Sequence, residues 1–446
     1  MKTETISAIS TAIGTAGVGI IRLSGDDAIS IADKIFDKPL AAAPDRQIIF
    51  GHVTNSAGEI IDEVLILIMR APKSYTRENV VEIQCHGGSE VLREILSRTF
   101  EAGARPAERG EFTKRAFLNG RLDLSQAQAV LDVIQAKTST ALTVAQNQLA
   151  GKTSAKIRAI RTEILDVLAH IEALIDFPED DIDAVALDDI DKKIAAQIDA
   201  IKIFLANQRS GRILREGLET AIIGKPNVGK SSLLNFLAET DRAIVTDIPG
   251  TTRDSIEEFV NIRGVPLKII DTAGIRNSDN PVEKIGIERA RSCASRAELI
   301  LALFDSSREI SAEDLEILNL IDGRSAIILL TKADLPRAID AARFENFIAI
   351  SVKTGAGVEE FLDAISEKVG AVNAEMNFVR DEREADLLRR AVENLQEARA
   401  TLKKNIGIDF ISIDLRAALE LLSEITGESV TDDVINEIFS KFCIGK

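Results

Sequence analysis

Residues 224–231 read Gly224-Lys225-Pro226-Asn227-Val228-Gly229-Lys230-Ser231, and the fold turns on this stretch. It is a complete P-loop string. The apolar run Thr220-Ala221-Ile222-Ile223 before it predicts a strand, and Leu233-Leu234 after it open a helix. In that context the glycines let backbone N–H groups turn inward around phosphate oxygens. Lys230 reaches the β- and γ-phosphates, and Ser231 offers its hydroxyl to Mg2+. The helix N-terminus adds its positive dipole end. An ordinary Gly-rich turn is the competing explanation, and the motifs further along the chain argue against it.

Those motifs arrive in the order that a guanine-nucleotide domain needs. Gly250-Thr251-Thr252-Arg253-Asp254 lies in a loop where a threonine can close over the γ-phosphate and ligate Mg2+. The predicted strand Leu267–Ile270 runs into Asp271-Thr272-Ala273-Gly274, where Asp271 can hold the metal through water and the Gly274 N–H can sense the γ-phosphate. Strand Ala326–Leu330 ends at Thr331-Lys332-Ala333-Asp334, and strand Phe347–Ile350 ends at Ser351-Val352-Lys353. Open α/β sheets bind ligands at such carboxyl ends. Asp334 selects the base, because a carboxylate accepts from the guanine ring N–H and exocyclic amino group together. Adenine lacks that donor pair, and a buried polar group left unpaired costs ~1–3 kcal/mol. Thr331 stands where Asn is usual, which affects nucleotide affinity rather than base preference.

Length and composition agree with this picture. A chain of 446 residues accommodates about two to four domains. Hydrophobic residues make up 45%, enough for sizeable cores, and aromatics only 4%. No apolar run reaches the roughly eighteen residues of a membrane span; Val64–Met69 is strand-sized, and no membrane association is expected. The first residues lack an apolar signal core. Cys85, Cys293 and Cys443 are too few and scattered for a disulfide framework or zinc cluster. A reducing, cytoplasmic location is expected. The net charge of −17 opposes indiscriminate nucleic-acid binding but leaves room for a local basic patch.

Three regions emerge along the chain. Residues 1–118 mix short helices with candidate strands Gly19–Leu23, Ile61–Met69 and Val80–Gln84, an α+β pattern. From 119 to 216 the period becomes helical: Ile157, Ile160, Ile164, Leu168, Ile171 and Ile175 form one apolar stripe. Phe177-Pro178-Glu179-Asp180-Asp181 interrupts it, and Ile190, Ile194, Ile198, Ile201 and Leu205 form a second. The nucleotide domain occupies 217–371. Helical spacing resumes over 372–446 at Leu388, Val392, Leu395 and Leu402, then at Ile411, Leu415, Leu419 and Leu422. The fold class expected is therefore multidomain α/β plus all-α, a Ras-like P-loop domain inserted in a helical domain and preceded by an α+β domain. Periodicity alone equally allows two separate helical bundles.

Hydrolysis needs a positioned water and a neutralised leaving charge. In Ras-like proteins a glutamine follows the glycine of the Asp-x-x-Gly motif. Ile275 holds that place and cannot orient water. Glu283, shortly beyond, is a candidate for the task; a solvated glutamate at a helix start is the alternative. No arginine finger is evident; Arg253 is the one candidate, and it sits beside the metal-binding threonines. The Asn227 amide oxygen is suited to seat a monovalent cation near the β/γ bridge, where K+ would act as an arginine does.

Taken together, Gly224–Ser232, Asp247–Asp254, Asp271–Arg276 and the terminal Phe442-Cys443-Ile444-Gly445-Lys446 resemble the bacterial tRNA-modification GTPase family MnmE, also called TrmE. Gly17–Gly25, His86-Gly87-Gly88, Arg109–Gly120 and Asp176–Glu179 extend the resemblance over essentially the whole chain. It implies a K+-stimulated GTPase whose nucleotide domains dimerise during hydrolysis. It implies a GTP-binding set of Asn227, Val228, Gly229, Lys230, Ser231, Ser232, Thr246, Asp247, Ile248, Pro249, Gly250, Thr251, Thr252, Asp271, Thr272, Ala273, Gly274, Thr331, Lys332, Asp334, Ser351, Val352 and Lys353. By the same likeness K+ is held by Asn227, the Thr246 and Ile248 carbonyls and Thr251; Mg2+ is held by Ser231 and Thr252; and Glu283 is catalytic, acting on the water indirectly.

The resemblance further implies an N-terminal domain that binds 5-formyl-tetrahydrofolate, or a related tetrahydrofolate, and forms a homodimer. It implies an FAD-dependent partner, MnmG (GidA), in a heterotetramer or larger complex. Together they add an aminomethyl-type group to C5 of the wobble uridine in certain tRNAs, with carbon from the folate. Carried over by position, the folate contacts are Arg22, Glu82, Arg121 and Lys446. Arg22 and Arg121 suit glutamyl carboxylates, and Glu82 suits the pterin amino and ring N–H; charges on a strand surface are the plainer reading of Arg22 and Glu82. Cys443 is read as a site-lining thiol. Cys85 and His86, adjacent in a strand, should face opposite ways and share no role; His52 and His170 look structural. Arg105, Arg109, Lys114 and Arg115, or Arg209, Arg212 and Arg215, are candidate tRNA contacts unless they are simply solvated. The competing functions are a ribosome-assembly or regulatory GTPase without modification chemistry, and a folate-dependent one-carbon transferase regulated by GTP.

Overall fold

The computed structural model describes residues 4–176, 184–240, 258–270, 291–369, 378–404 and 407–446. The chain divides into two compact units. One comprises Met1–Leu131, Gln148–Thr162 and Leu419–Lys446; the other comprises Asp132–Asn147 and Glu163–Ala418.

The first unit is built on strands β1 (Ile6–Ile9), β2 (Ala16–Ser24), β3 (Ile48–Thr54), β4 (Ile60–Met69), β5 (Val80–Gly87) and β6 (Arg105–Pro106), in the order β3-β4-β5-β2-β1-β6. All neighbours are antiparallel except β1 and β6. Strand alternation sends Ile21, Leu23, Val81, Ile83, Val64, Ile66 and Ile68 to one face. There they pack with Ile31, Leu92 and Ile95 from the helices Ala28–Asp33 and Ser89–Glu101. Each such buried Ile or Leu stabilises by roughly 1.5–3 kcal/mol. The same period puts Arg22, Glu82, Gln84 and Leu65 on the opposite face. Register then matters: Arg22 lies directly opposite Glu82, and Phe50 opposite Leu65. Ile48, Phe50 and Leu65 stay exposed there.

The second unit carries β7 (Leu218–Ile223), β8 (Glu258–Ile262), β9 (Val265–Ile269), β10 (Leu299–Asp305), β11 (Ala326–Thr331) and β12 (Ile348–Ala349), in the order β12-β11-β10-β7-β9-β8. Pairing is parallel except in the β8–β9 hairpin. Every residue of β10 is buried, as expected of a central parallel strand covered on both faces. Separate apolar clusters fill the two faces. This is the expected Ras-like sheet, and the helix Lys230–Thr240 follows β7 directly.

The apolar stripes lie on the helices Lys152–Asp176, Ala184–Ala206, Glu382–Lys404 and Ile408–Thr426. Phe177–Asp181, the predicted break, lies outside the described residues. Sequence periodicity left one helical domain or two as alternatives. The helix Ala184–Ala206 packs along Glu382–Lys404, and the Arg399 guanidinium donates to both Asp191 oxygens at 2.7 and 2.9 Å. Helices before and after the nucleotide domain thus form one layer, with that domain inserted between them. No described helix is long and apolar enough to cross a membrane.

Candidate functional site

The P-loop leaves β7 at Gly224, whose φ is +156°. A Cβ there would sit 2.7 Å from the Leu303 carbonyl oxygen, so the loop's close approach to β10 requires glycine. Asn227 (φ +60°) and Gly229 (φ +104°) complete the inward turn. Lys230 Nζ donates to the Gly224 and Lys225 carbonyls, each at 2.7 Å. Burial pulls its amine down to about 8. Bound triphosphate would raise it again by supplying anionic oxygens in place of those carbonyls. The Lys225 ammonium is tied to Asp314 at 2.6 Å and to the Ser311 hydroxyl at 2.9 Å, the capping box of the helix Ala312–Ile321. Sequence reasoning passed over Asp314 because its local Ser-x-x-Asp signature marks only a helix start, while its pairing with Lys225 is made across the fold.

The base-recognition loop is tied to the P-loop through Thr331. Its hydroxyl, at the end of β11, donates to the Val228 carbonyl at 2.7 Å, with the Phe304 carbonyl at 3.1 Å. A hydroxyl thereby links the two loops at the position where an amide is usual. Lys332 pairs with Asp305, at the end of β10, at 2.6 Å. The Ser351 hydroxyl donates to Asp334 Oδ1 at 2.7 Å. Thr331→Val, which removes only the link, is expected to weaken GTP by about five- to tenfold, whereas Thr331→Ser stays near the parent. Equilibrium titration with a fluorescent guanine nucleotide measures both; equal affinity for the Val variant would show the link to be idle. Thr246, Asp247, Ile248, Pro249, Gly250, Thr251, Thr252, Asp271, Thr272, Ala273, Gly274 and Glu283 lie outside the described residues.

In the other unit, residues from distant stretches of chain converge. Arg22 Nε donates to Glu82 Oε1 at 2.9 Å, and its second terminal nitrogen lies 2.8 Å from the same oxygen. The guanidinium stands 5.9 Å from the centre of the Tyr75 ring, and that of Arg121 stands 4.6 Å from the same ring. Tyr75 O–H shares a hydrogen bond with the Thr113 hydroxyl at 2.9 Å. The terminal tail closes the group: Phe442 is buried beside Phe439 and Leu124, and the Gly110 N–H donates to the Cys443 carbonyl at 3.2 Å. Gly445 (φ +91°) runs so close to β1 that a Cβ would lie 2.2 Å from the Ile9 carbonyl oxygen. Its own carbonyl accepts from Ser10 Oγ at 3.1 Å and from Arg22 at 3.4 Å. Burial, and then the Arg22 charge, lower the affinity of the Lys446 amine for its proton. Arg22, Glu82, Arg121 and Lys446 are therefore grouped, while Cys443 is exposed on the tail. Tyr75 was missed. Its one signal was rarity, the single tyrosine of a tryptophan-free chain.

The remaining polar residues sort by their partners. Cys85 is buried, and burial pushes its thiol up to about 11; His86, on the other face, is exposed and pairs with Asp62 at 2.7 Å. That hydrogen bond raises the His86 pKa. His52 pairs with Asp37 at 2.8 Å, and His170 is exposed. Arg105 is committed to Glu111 and Glu4, Arg115 to Glu78 and Glu111, Arg212 to Glu298 and Arg215 to Glu216. Lys114 bonds Asn436, and the Arg109 backbone bridges to Ile444. Arg209 is exposed on the helix Gln208–Glu216.

Residues 124–443 match the family model described as the MnmE helical domain, and residues 5–121 match the one described as the GTP-binding protein TrmE N-terminus. Among relatives, a "tRNA modification GTPase MnmE" of Desulforamulus reducens is 48% identical over 461 residues, covering 100% of both chains. One of Thermoanaerobacter pseudethanolicus is 47% identical over 460 residues, again covering 100% of both. One of Streptococcus thermophilus is 47% identical over 450 residues, covering 99% of this chain and 98% of that relative.

Proposed function

The chain belongs to the MnmE family of tRNA modification GTPases, and from that premise we propose a K+-stimulated GTP hydrolase acting in C5 (carboxymethyl)aminomethyl modification of the wobble uridine. In this reading GTP lies in the P-loop of a nucleotide domain spanning 217–371. Lys230 neutralises phosphate charge, Asp334 reads the guanine, and Glu283 orders the attacking water through an intermediary. Asn227, Thr246, Ile248 and Thr251 offer only neutral oxygens, a donor set that suits a large monovalent cation. Ser231 and Thr252 offer hydroxyls to Mg2+. K+ would supply positive charge at the β/γ bridge, and two nucleotide domains would meet as it does so.

The observation that carries the modification reading is the grouping of Arg22, Glu82, Arg121 and Lys446, with the Tyr75 ring shared by the two guanidinium groups and Lys446 close enough to feel Arg22 and Glu82. A cation pair beside an acceptor carboxylate and an aromatic plate matches the chemistry of a tetrahydrofolate, with its carboxylate tail and donor-rich flat ring. The exposed apolar residues Ile48, Phe50 and Leu65 on the same sheet face suit a homodimer contact. An FAD-dependent partner of the MnmG type would complete a heterotetramer or larger cytoplasmic complex, with tRNA as substrate.

Two measurements test this. GTP turnover should be several-fold faster in K+ than in Na+ buffer, and equal rates would remove the cation from the mechanism. Mass analysis of wobble uridines in cells lacking the chain should find them unmodified. Intact modification would instead favour a purely regulatory GTPase.

A further inference from the structure

We propose that the basic rim formed by the exposed Arg46, Lys73 and Arg77 with the half-buried Arg70, leading up to Arg121, holds the phosphate backbone of the tRNA beside the Arg22–Glu82 cluster. This rests on the tRNA-modification reading and adds the surface that receives the RNA.

A chain of net charge −17 repels a polyanion in bulk, so RNA must be held where cations are locally unopposed. Most arginines of this unit are neutralised: Arg105, Arg115, Arg158 and Arg161 all end on carboxylates. The rim differs. Arg46 donates to the Lys73 carbonyl at 2.6 Å, Arg70 to the Ala41 and Ala43 carbonyls at 3.0 and 3.1 Å, and Arg77 to the Asn119 carbonyl at 2.9 Å. Arg121 stands over Tyr75. A carbonyl or an aromatic ring holds the guanidinium in place but leaves its positive charge uncancelled. Among the described residues, the one carboxylate within ion-pair reach of the five cations is Asp45, 3.8 Å from Arg46.

The rim is continuous and leads somewhere. The Lys73 N–H donates to the Arg70 carbonyl at 3.0 Å, and the Arg46 N–H to the Ile68 carbonyl at 2.8 Å, so the segments carrying Arg46, Arg70 and Lys73 are joined. Arg77 ties the next turn to Asn119, two residues before Arg121. Arg121 shares the Tyr75 ring with Arg22. Arg46 (φ +61°) and Arg77 (φ +60°) are held in the left-handed region that side chains seldom adopt, so packing has already fixed both loops.

The test uses the full chain and an unmodified transcript of a tRNA with a wobble uridine, with binding followed by fluorescence anisotropy over a range of salt concentrations. The triple variant Arg46→Glu, Lys73→Glu, Arg77→Glu should bind at least about tenfold more weakly. Its plot of log affinity against log salt should be shallower by about 2, as loss of three phosphate contacts requires. The triple Gln variant, which adds no repulsion, should show the same loss of slope. GTP turnover should match the parent, since none of these residues touches nucleotide, and the thermal unfolding midpoint should fall by no more than a few degrees, because Arg46 and Arg77 each give up a hydrogen bond to a carbonyl. Unchanged affinity and slope in both variants, no tRNA binding by the parent, or a loss confined to phosphatidylserine vesicles would each overturn the proposal. Wobble-uridine analysis in cells lacking the chain separates the two layers. Modification lost there, with tRNA binding unchanged in the variants, sinks the rim alone; modification intact there sinks the reading beneath it.

Discussion

Glu283→Ala is expected to leave GTP binding nearly intact and to lower turnover by about two to four orders of magnitude, the contribution of a positioned general acid–base group. Ile275 occupies the place after Gly274 where Ras-like enzymes keep a water-orienting glutamine, and an aliphatic side chain cannot do that work. Glu283 is the carboxylate that the family resemblance assigns. Binding should be spared, because in the proposed reading the phosphates would be met by Lys230 and the P-loop amides rather than by this side chain. Single-turnover hydrolysis measured beside nucleotide titration separates the two effects. Turnover at the parent's rate in the alanine variant would remove Glu283 from the catalytic machinery.

Asp334→Asn should weaken GTP by about 30- to 100-fold and improve binding of the xanthosine nucleotide in return. The Ser351 hydrogen bond is the main cause holding the Asp334 carboxyl below the usual carboxylate range. The group is therefore ionised at neutral pH and purely an acceptor. Guanine offers two donors to it. An amide would set an N–H against one of those donors, whereas the 2-carbonyl of xanthine would accept it. Thr331 and Lys332 tie this loop to Val228 and Asp305, and Ser351 bonds Asp334 itself, so the substitution alters donor–acceptor sense with little change of shape. Paired titrations with fluorescent guanosine and xanthosine diphosphates give the result directly, and an unchanged preference would mean that the base is read elsewhere.

The nucleotide site was legible because its chemistry is contiguous. Gly224–Ser231 and Thr331–Asp334 each follow a strand closely enough that local spacing fixes both residue type and position. Periodicity likewise found the stripes of the helices Lys152–Asp176 and Glu382–Lys404. It could not say that the helices flanking the nucleotide domain share a layer, since amphipathic period reports a buried face and not what covers it. Asp314, Tyr75 and the rim cations escaped for a related reason: each matters only through a neighbour far away in sequence.

The sequence by itself supplied the GTPase motifs and the expectation of a guanine nucleotide, because these depend on residue types at short fixed spacings. The tertiary structure alone decided that Arg22 meets Glu82, that Arg121 shares Tyr75 with Arg22, and that the terminal tail seats Gly445 against Ile9. Strand register and the packing of remote segments set those contacts. A one-residue slip of β2 against β5 would leave the composition and hydrophobic period of both strands unchanged, yet it would place Arg22 and Glu82 on opposite faces of the sheet.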